Sequence, residues 1–229
     1  MADQPHLRER LAAAGKRLAA LGLTQGSSGN LSVRLDADRF LITPSGRPCD
    51  ELNVDDIVAM TMAGDAAGGG RPSSEWRMHR DIYAARAEAG AIVHAHPGHA
   101  TALACLRRGI PAFHYMVAVA GGADIRCADY ATFGTQALSD RVLAALDGRQ
   151  ACLMANHGII CFGAGLDEAL SLALEVETLA AQYWRALQIG EPVLLSEAEM
   201  AEVLRRFEDY RRGAAPLAET AYDTDVSSG

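Results

Sequence analysis

Three of the seven histidines stand where their side chains could bind a metal ion. His94 and His96 are two residues apart in an apolar segment typical of a strand, which directs both imidazoles to one face of a sheet. Pro97 ends that strand, so the pair should lie at a sheet edge. His157 separates two apolar runs and is the third candidate. Three neutral imidazoles with an open fourth position are typical of a catalytic zinc site, and we predict a metal centre here.

A His-x-His pair taken alone more often marks two ordinary hydrogen-bonded histidines, so the argument needs His157. We expect the other four histidines to have no metal role: His6, His79, His99 and His114. Glu75 and His79 are four residues apart on a predicted helix and could imitate a chelating pair. We favour Glu75 alone, because it should stand in the first helical turn beside groups that could bind an anion.

Three small turns rich in hydroxyl groups could form a phosphate site. They are Ser27-Ser28-Gly29-Asn30, Ser45-Gly46 and Ser73-Ser74. Turns of this kind present backbone N–H groups and short donors in a concave nest, which suits a phosphate without lysine or arginine. Each turn alone is more often an ordinary turn, and the three gain weight by occurring together with the metal candidates.

Charge and composition exclude several other functions. A formal net charge of -8 disfavours nucleic-acid and anionic-membrane partners, which require concentrated positive charge. Lys16 is the only lysine and falls in a predicted surface helix, so Schiff-base chemistry is disfavoured. The five cysteines lack close pair spacing and suit reduced thiols. With no run of 18 apolar residues and a polar N-terminus, we expect a cytoplasmic protein.

The elements needed to position these residues can be read from apolar periodicity and turn signals. Helices are predicted at about 7–21, 75–86, 99–107, 135–146, 166–187 and 196–212. Strands are predicted at about 31–35, 40–43, 57–62, 91–96, 151–155 and 158–162, and an extended stretch at 111–119. We expect a serine to cap the helix that follows Ser74.

The strands cluster with hairpin spacing rather than strict βαβ alternation. We therefore predict an α/β protein, α+β in detail, with a mixed but mainly antiparallel sheet sandwiched by helices. With 49% hydrophobic residues, residues 1–229 should form a single domain, with a tail from about 213 that is flexible.

Several segments together resemble the class II aldolase/adducin family, most closely its branch that cleaves L-fuculose 1-phosphate. The matching segments, in family order, are GLTQGSSGNLSVR (22–34), FLITPSGRP (40–48), PSSEWRMHRDIY (72–83), IVHAHPGHATALAC (92–105), IPAFHYMVAVAGGADIRCADYATFGT (110–135) and ANHGII (155–160). The combined match is specific, although any one segment would be weak.

The resemblance implies a zinc-dependent enzyme that is a C4 homotetramer with active sites between subunits. One divalent ion per subunit, zinc or else manganese or cobalt, would be bound by His94, His96 and His157. Glu75 would be the catalytic acid/base and could also occupy a metal position. The phosphate-binding residues would be Gly29, Asn30, Ser45, Gly46, Ser73 and Ser74.

The resemblance also implies residues at the aldehyde end of the site. Tyr115 would act from a neighbouring subunit on the aldehyde-side oxygen, with Phe133 near the same end. Tyr210 and Tyr222 are both possible counterparts of a tyrosine in the family's tail. The implied reaction splits a ketose 1-phosphate into dihydroxyacetone phosphate and an aldehyde. L-fuculose 1-phosphate and the 5-deoxy- or 5-methylthio-pentulose 1-phosphates remain open as substrates.

Alternatives within and outside this chemistry remain open. A ribulose-phosphate 4-epimerase would use the same bond cleavage but re-add the aldehyde, and a methylthioribulose-1-phosphate dehydratase is a related branch. A non-enzymatic, adducin-like interaction module would be expected to lack the metal histidines, whereas His94, His96 and His157 are all present. Metal analysis separates that last interpretation from the enzymes.

Overall fold

One eight-stranded sheet organises the chain in a computed structural model that describes residues 5–68 and 70–211. The strand order is β4-β3-β2-β1-β5-β8-β7-β6, and every neighbouring pair is antiparallel except β6 and β7. The strands are β1 Asn30–Arg34, β2 Arg39–Ile42, β3 Val58–Thr61, β4 Ala66–Ala67, β5 Ala91–Ala95, β6 Cys127–Ala128, β7 Ala151–Met154 and β8 Gly158–Gly163.

Helices cover both faces of this sheet, so its central strands are buried on both sides and mostly apolar. The α-helices are α1 Pro5–Ala20, α2 Trp76–Ala85, α3 Gly98–Cys105, α4 Gln136–Ala145, α5 Leu166–Ile189 and α6 Glu197–Arg211. Helices α1, α3 and α5 pack on one face and α2 and α4 on the other, giving two separate apolar clusters. Every residue of β5, β7 and β8 is buried, as expected for strands with no solvent face.

The predicted fold class is confirmed, and two local predictions are wrong. The cap of α2 is Glu75 rather than a serine, since the backbone carbonyl of Ser73 accepts from Trp76 N–H and thereby closes a turn before the helix. Glu75 therefore precedes the first helical turn. The segment predicted to be extended contains the 3-10 helix Tyr115–Ala120, which His114 caps by accepting from Met116 N–H.

Within the described ranges, no helix combines the length and apolar character needed to cross a bilayer. Tyr222 and the tail predicted from about 213 lie outside the described residues. Tyr210 lies near the end of α6 with its side chain exposed.

Candidate metal centre and active site

Strand pairing and helix α2 bring the predicted metal residues together at one end of the central strands β1, β5 and β8, and not at an edge strand as predicted. In the register of β1 and β5, Asn30 stands opposite His94, and in that of β5 and β8, His94 stands opposite Ile160. His157 occupies the turn just before β8, and Glu75 the cap of α2. Residues more than eighty positions apart in the chain thus share one site.

The imidazoles of His94, His96 and His157 form a nearly equilateral triangle. Their ring centroids are 4.8, 4.8 and 4.9 Å apart, and one ligand atom of each lies within 4.8 Å of the others. His94 donates its Nδ1–H to the carbonyl of Ile159 at 2.8 Å, so its Nε2 faces the other two rings. The Nε2 atoms of His94 and His96 are 3.0 Å apart. All three rings therefore point inward to a common point.

The Glu75 carboxylate completes this cluster. Its Oε2 lies 3.0 Å from His94 Nε2, and its Oε1 lies 3.4 Å from His157 Nε2. Oε1 is buried and has no hydrogen-bond partner, which is costly unless a cation or a proton takes its lone pairs. The donor set of three imidazoles and one carboxylate fits a divalent ion such as zinc.

Burial and mutual charge set the protonation of these groups. Burial would raise the pKa of Glu75, but His94, His157 and the Asn30 hydrogen bond hold that pKa well below its usual range. Burial, followed by the charge of His94, lowers the pKa of His96 and of His157 to about 4. Burial also lowers the pKa of His94, but Glu75 outweighs it and raises that pKa overall. His96 and His157 are thus neutral near pH 7, as metal ligation requires.

The turn between β7 and β8 presents His157 through an unusual backbone. Asn156 has φ 53°, in the left-handed region, and its N–H bonds the carbonyl of Ala104 at 2.9 Å. A Cβ on Gly158 would lie 2.4 Å from the carbonyl oxygen of Ala95 and 2.6 Å from the His96 ring. Only glycine lets the two strands that carry the histidines approach this closely.

A cleft of about 370 Å³ opens directly over the cluster. It contains every predicted phosphate-site residue, together with Glu75, His96, His157 and Phe133. His94 is fully buried beneath it. Its full lining is Ser27, Ser28, Gly29, Asn30, Pro44, Ser45, Gly46, Ser73, Ser74, Glu75, His96, Tyr130, Ala131, Phe133, Asn156 and His157. Tyr115 is outside this lining, with its side chain half exposed.

The hydroxyl-rich turns meet in the cleft because two of them are bridged by backbone pairing. Ser45 N–H bonds the carbonyl of Arg71 at 3.1 Å, and Ser73 N–H bonds that of Thr43 at 3.0 Å. These two amides are therefore used within the fold, so an anion in the cleft would be bound by other donors of the turns, among them the Ser45 and Ser73 hydroxyls. Gly29 and Gly46 have φ of 81° and 75°, in the left-handed region that glycine adopts readily.

Sequence reasoning missed several residues of the site. Tyr130, Ala131 and Asn156 line the cleft, and His79 lies fully buried behind Glu75, in contact with Asn30. The carboxamide of Asn30 bonds both Glu75 and His79, which uses its oxygen and one of its two N–H donors. The available signal was the four-residue spacing of Glu75, His79 and Tyr83, which places them on one face of α2.

Comparisons with known proteins agree with this geometry. Residues 9–184 match the family described as class II aldolase and adducin N-terminal domain. A 5-methylthioribulose-1-phosphate/5-deoxyribulose-1-phosphate aldolase of Rhodospirillum rubrum is 54% identical over 204 residues, covering 89% of this chain and 92% of the relative. An L-fuculose phosphate aldolase of Escherichia coli K12 is 48% identical over 194 residues, covering 84% and 90%. A solved L-fuculose 1-phosphate aldolase has a TM-score of 0.86 at 43% identity, covering 91% of this chain and 98% of the other.

Proposed function

Because this chain belongs to the class II aldolase and adducin family, we propose that it is a metal-dependent aldolase that cleaves a ketose 1-phosphate. The products are dihydroxyacetone phosphate and an aldehyde. The observation that carries the proposal is the Glu75 carboxylate lying against three converging imidazoles at the base of a cleft lined by serine turns. That arrangement combines a metal site, a proton-transfer group and an anion site within one small volume.

His94, His96 and His157 would hold the divalent ion, with the Glu75 carboxylate beside them. Zinc is the metal that this donor set fits best, with manganese and cobalt as alternatives. When bound, the ion polarises a carbonyl group as a Lewis acid.

The serine turns orient the substrate through its phosphate. Ser45 and Ser73 contribute hydroxyls, while Gly29, Asn30, Gly46 and Ser74 shape the nest around them. Fixing the phosphate at one end of the cleft sets the distance from the reacting carbons to Glu75, so positioning supplies part of the rate.

Glu75 and Tyr115 move the protons of the reaction. The C3–C4 bond breaks, its electron pair stays on C3, and the C4 hydroxyl becomes the aldehyde as its proton leaves. Tyr115 of a second copy of the chain accepts that proton while releasing its own hydroxyl proton to solvent, and Glu75 delivers a proton to C3 to complete dihydroxyacetone phosphate. The pKa of Glu75 lies well below its usual range, so it begins the cycle as a carboxylate. It takes the proton that it delivers to C3 from solvent in the open cleft, which balances the proton that leaves the C4 hydroxyl.

The identity of the aldehyde is set at the outer end of the cleft. Phe133 and Tyr130 line that end and are exposed by 64% and 50%, so the wall is aromatic and open, with the Tyr130 hydroxyl as its polar group. Such a wall discriminates weakly between substrates that differ by a methylene or a hydroxyl. We propose that the enzyme accepts 5-deoxy- and 5-methylthio-pentulose 1-phosphates as well as L-fuculose 1-phosphate, within a cytoplasmic homotetramer. No observation specifically favours the epimerase, the dehydratase or the interaction module.

Purified protein loaded with zinc should release dihydroxyacetone phosphate from all three phosphates. It should also exchange a C3 proton of dihydroxyacetone phosphate with solvent, and Glu75→Gln should slow that exchange by about 10²-fold or more. The coupled release assay and proton NMR in heavy water measure the two effects. Cleavage of none of the three phosphates, or wild-type exchange in Glu75→Gln, would contradict the proposal.

A further inference from the structure

A chain of buried polar side chains runs from Glu75 back into the protein. Asn30 Nδ2 lies 3.0 Å from Glu75 Oε2, and Asn30 Oδ1 lies 2.5 Å from His79 Nε2. On the far side of the ring, Ser32 Oγ lies 2.7 Å from His79 Nδ1 and 2.7 Å from Tyr83 OH. His79 and Ser32 are fully buried, and the side chains at both ends are nearly so.

One helix and one strand supply the members of this series of hydrogen-bonded side chains. His79 and Tyr83 are four residues apart on one face of α2, and Glu75 stands four residues before His79 at the helix cap. Asn30 and Ser32 point to one face of β1. The helix and the strand therefore alternate in supplying its members. Each of the intermediate groups has a partner on both sides.

The direction of every hydrogen bond follows from the carboxylate. Ionised Glu75 can only accept, so the NH₂ of Asn30 must face it and the carboxamide oxygen must face His79. His79 Nε2 then carries the hydrogen. Burial, with the charge of His94 second, lowers the pKa of His79 to about 3, so the ring is neutral and Nδ1 accepts from Ser32. Ser32 in turn accepts from Tyr83.

We propose that His79 is a positioning residue that fixes the Asn30 carboxamide and thereby holds the Glu75 carboxylate in its reactive orientation. This rests on the proposed function of Glu75. His79 touches neither the metal cluster nor the cleft, and it acts through Asn30. The bond to Asn30 occupies Oε2 and leaves Oε1, the oxygen without a hydrogen bond, as the one that can exchange a proton.

Filling a core does not require this arrangement. The same face of the sheet is otherwise an apolar cluster that includes Phe40, Ile92 and Met78, and apolar side chains would avoid the desolvation cost of five buried polar groups. These hydrogen-bonded side chains fix the orientation of the Glu75 carboxylate, because all of their donors are directed towards it.

The hydrogen-bond directions can be tested in the wild-type protein without any activity measurement. The ¹⁵N shifts of the His79 ring should show Nε2 protonated and Nδ1 unprotonated, with and without zinc. A ring protonated at Nδ1 would reverse the Asn30 carboxamide and overturn the proposal. This measurement stands even where a variant fails to fold.

Variants test the consequence for the reaction. His79→Leu should slow C3 proton exchange in dihydroxyacetone phosphate by about 10- to 100-fold, with KM and zinc content unchanged. His79→Gln should recover most of the rate, since its amide can still donate to Asn30. Ser139→Ala is the matched control. Ser139 is also buried against α2, but it bonds Asp81 and takes no part in the hydrogen bonds that lead to Glu75.

The outcomes separate the two proposals. Wild-type exchange in His79→Leu, or an equal loss in Ser139→Ala, would refute the positioning role. A decrease in exchange rate in His79→Leu that is explained by a lower zinc content would also refute it. Wild-type protein that exchanges no proton at all would instead refute the proposed function.

Discussion

At the scale of single residues, the three metal-binding histidines differ in burial, and this difference decides whether replacing one of them affects the fold or only metal binding. His94 is fully buried, while His96 and His157 face the cleft. Replacing His96 removes one ligand and leaves the strand ends intact, since His96 follows β5 rather than belonging to it. The ligand therefore contributes more to metal binding than to the fold.

We expect His96→Ala to lose its metal without losing its fold. Added zinc should raise the free energy of unfolding of the wild type by about 2.7 kcal/mol at a hundred times its Kd, and should leave the variant unchanged. Metal analysis after dialysis and denaturant titration with and without zinc measure these effects. His99→Ala is the control, because His99 is a nearby histidine that bonds Glu177 and should keep both zinc and activity. Equal zinc content in His96→Ala and wild type would exclude His96 as a ligand.

The candidate site was predictable as far as local spacing determines it. His94 and His96 follow from strand alternation, and His157 from its position between apolar runs. The role of Asn30 was not predictable in this way. Its contact with His79 depends on how α2 lies across β1, a packing relationship between elements that spacing within either one does not contain.

At the scale of elements, the turn between β7 and β8 presents His157 by a strained backbone that α3 supports. The Asn156 carboxamide donates to the carbonyl of Cys105 at 3.3 Å and accepts from Arg107 Nε at 3.1 Å. Arg107 is the other non-glycine residue with a positive φ, at 54°, among the residues that the structure describes. The end of α3 and the turn before β8 therefore fix each other.

Asn156→Ala should weaken zinc binding, because it loses the two carboxamide bonds and places an unsuitable residue in the left-handed region. Asn156→Gly loses the same bonds but tolerates that φ, so the difference between the variants isolates the backbone term, about 1 kcal/mol of stability. Zinc affinity and free energy of unfolding should both follow the order wild type, glycine, alanine. Alanine and glycine variants of equal stability would show that the left-handed backbone carries no cost here.

Element positions were predicted better than their ends. The long helices and central strands follow from apolar periodicity. The cap of α2 depends instead on which carbonyl accepts from Trp76 N–H. Ser73 and Ser74 were both candidates for the cap in the sequence, and neither is the cap. The 3-10 helix Tyr115–Ala120 was predicted as extended because its apolar run has no helical period. Its contacts with α5 and α6 impose the turn.

At the scale of the whole molecule, the proposed acid/base pair is divided. Glu75 lies at the base of the cleft, while Tyr115 lies outside the cleft lining and half exposed. A single copy of the chain therefore brings together the metal residues, the phosphate turns and Glu75, and leaves the aldehyde end open. A second copy that supplies Tyr115 would complete the site, consistent with the proposed C4 assembly.

Mixing two inactive variants tests whether the site is shared between copies. Glu75→Gln and Tyr115→Phe should each lose most activity, because each lacks one of the two proton-transfer groups. In tetramers assembled from an equal mixture, about one quarter of the sites should combine an intact Glu75 with an intact Tyr115 from the neighbouring copy, and activity should return in that proportion. The coupled release assay before and after subunit exchange measures the recovery.

Glu75→Gln mixed with His96→Ala is the matched control. Those two residues line the cleft of one chain, so no hybrid site should contain both intact groups. Recovery in the control alone, or in neither mixture, would show that Tyr115 does not act across the interface.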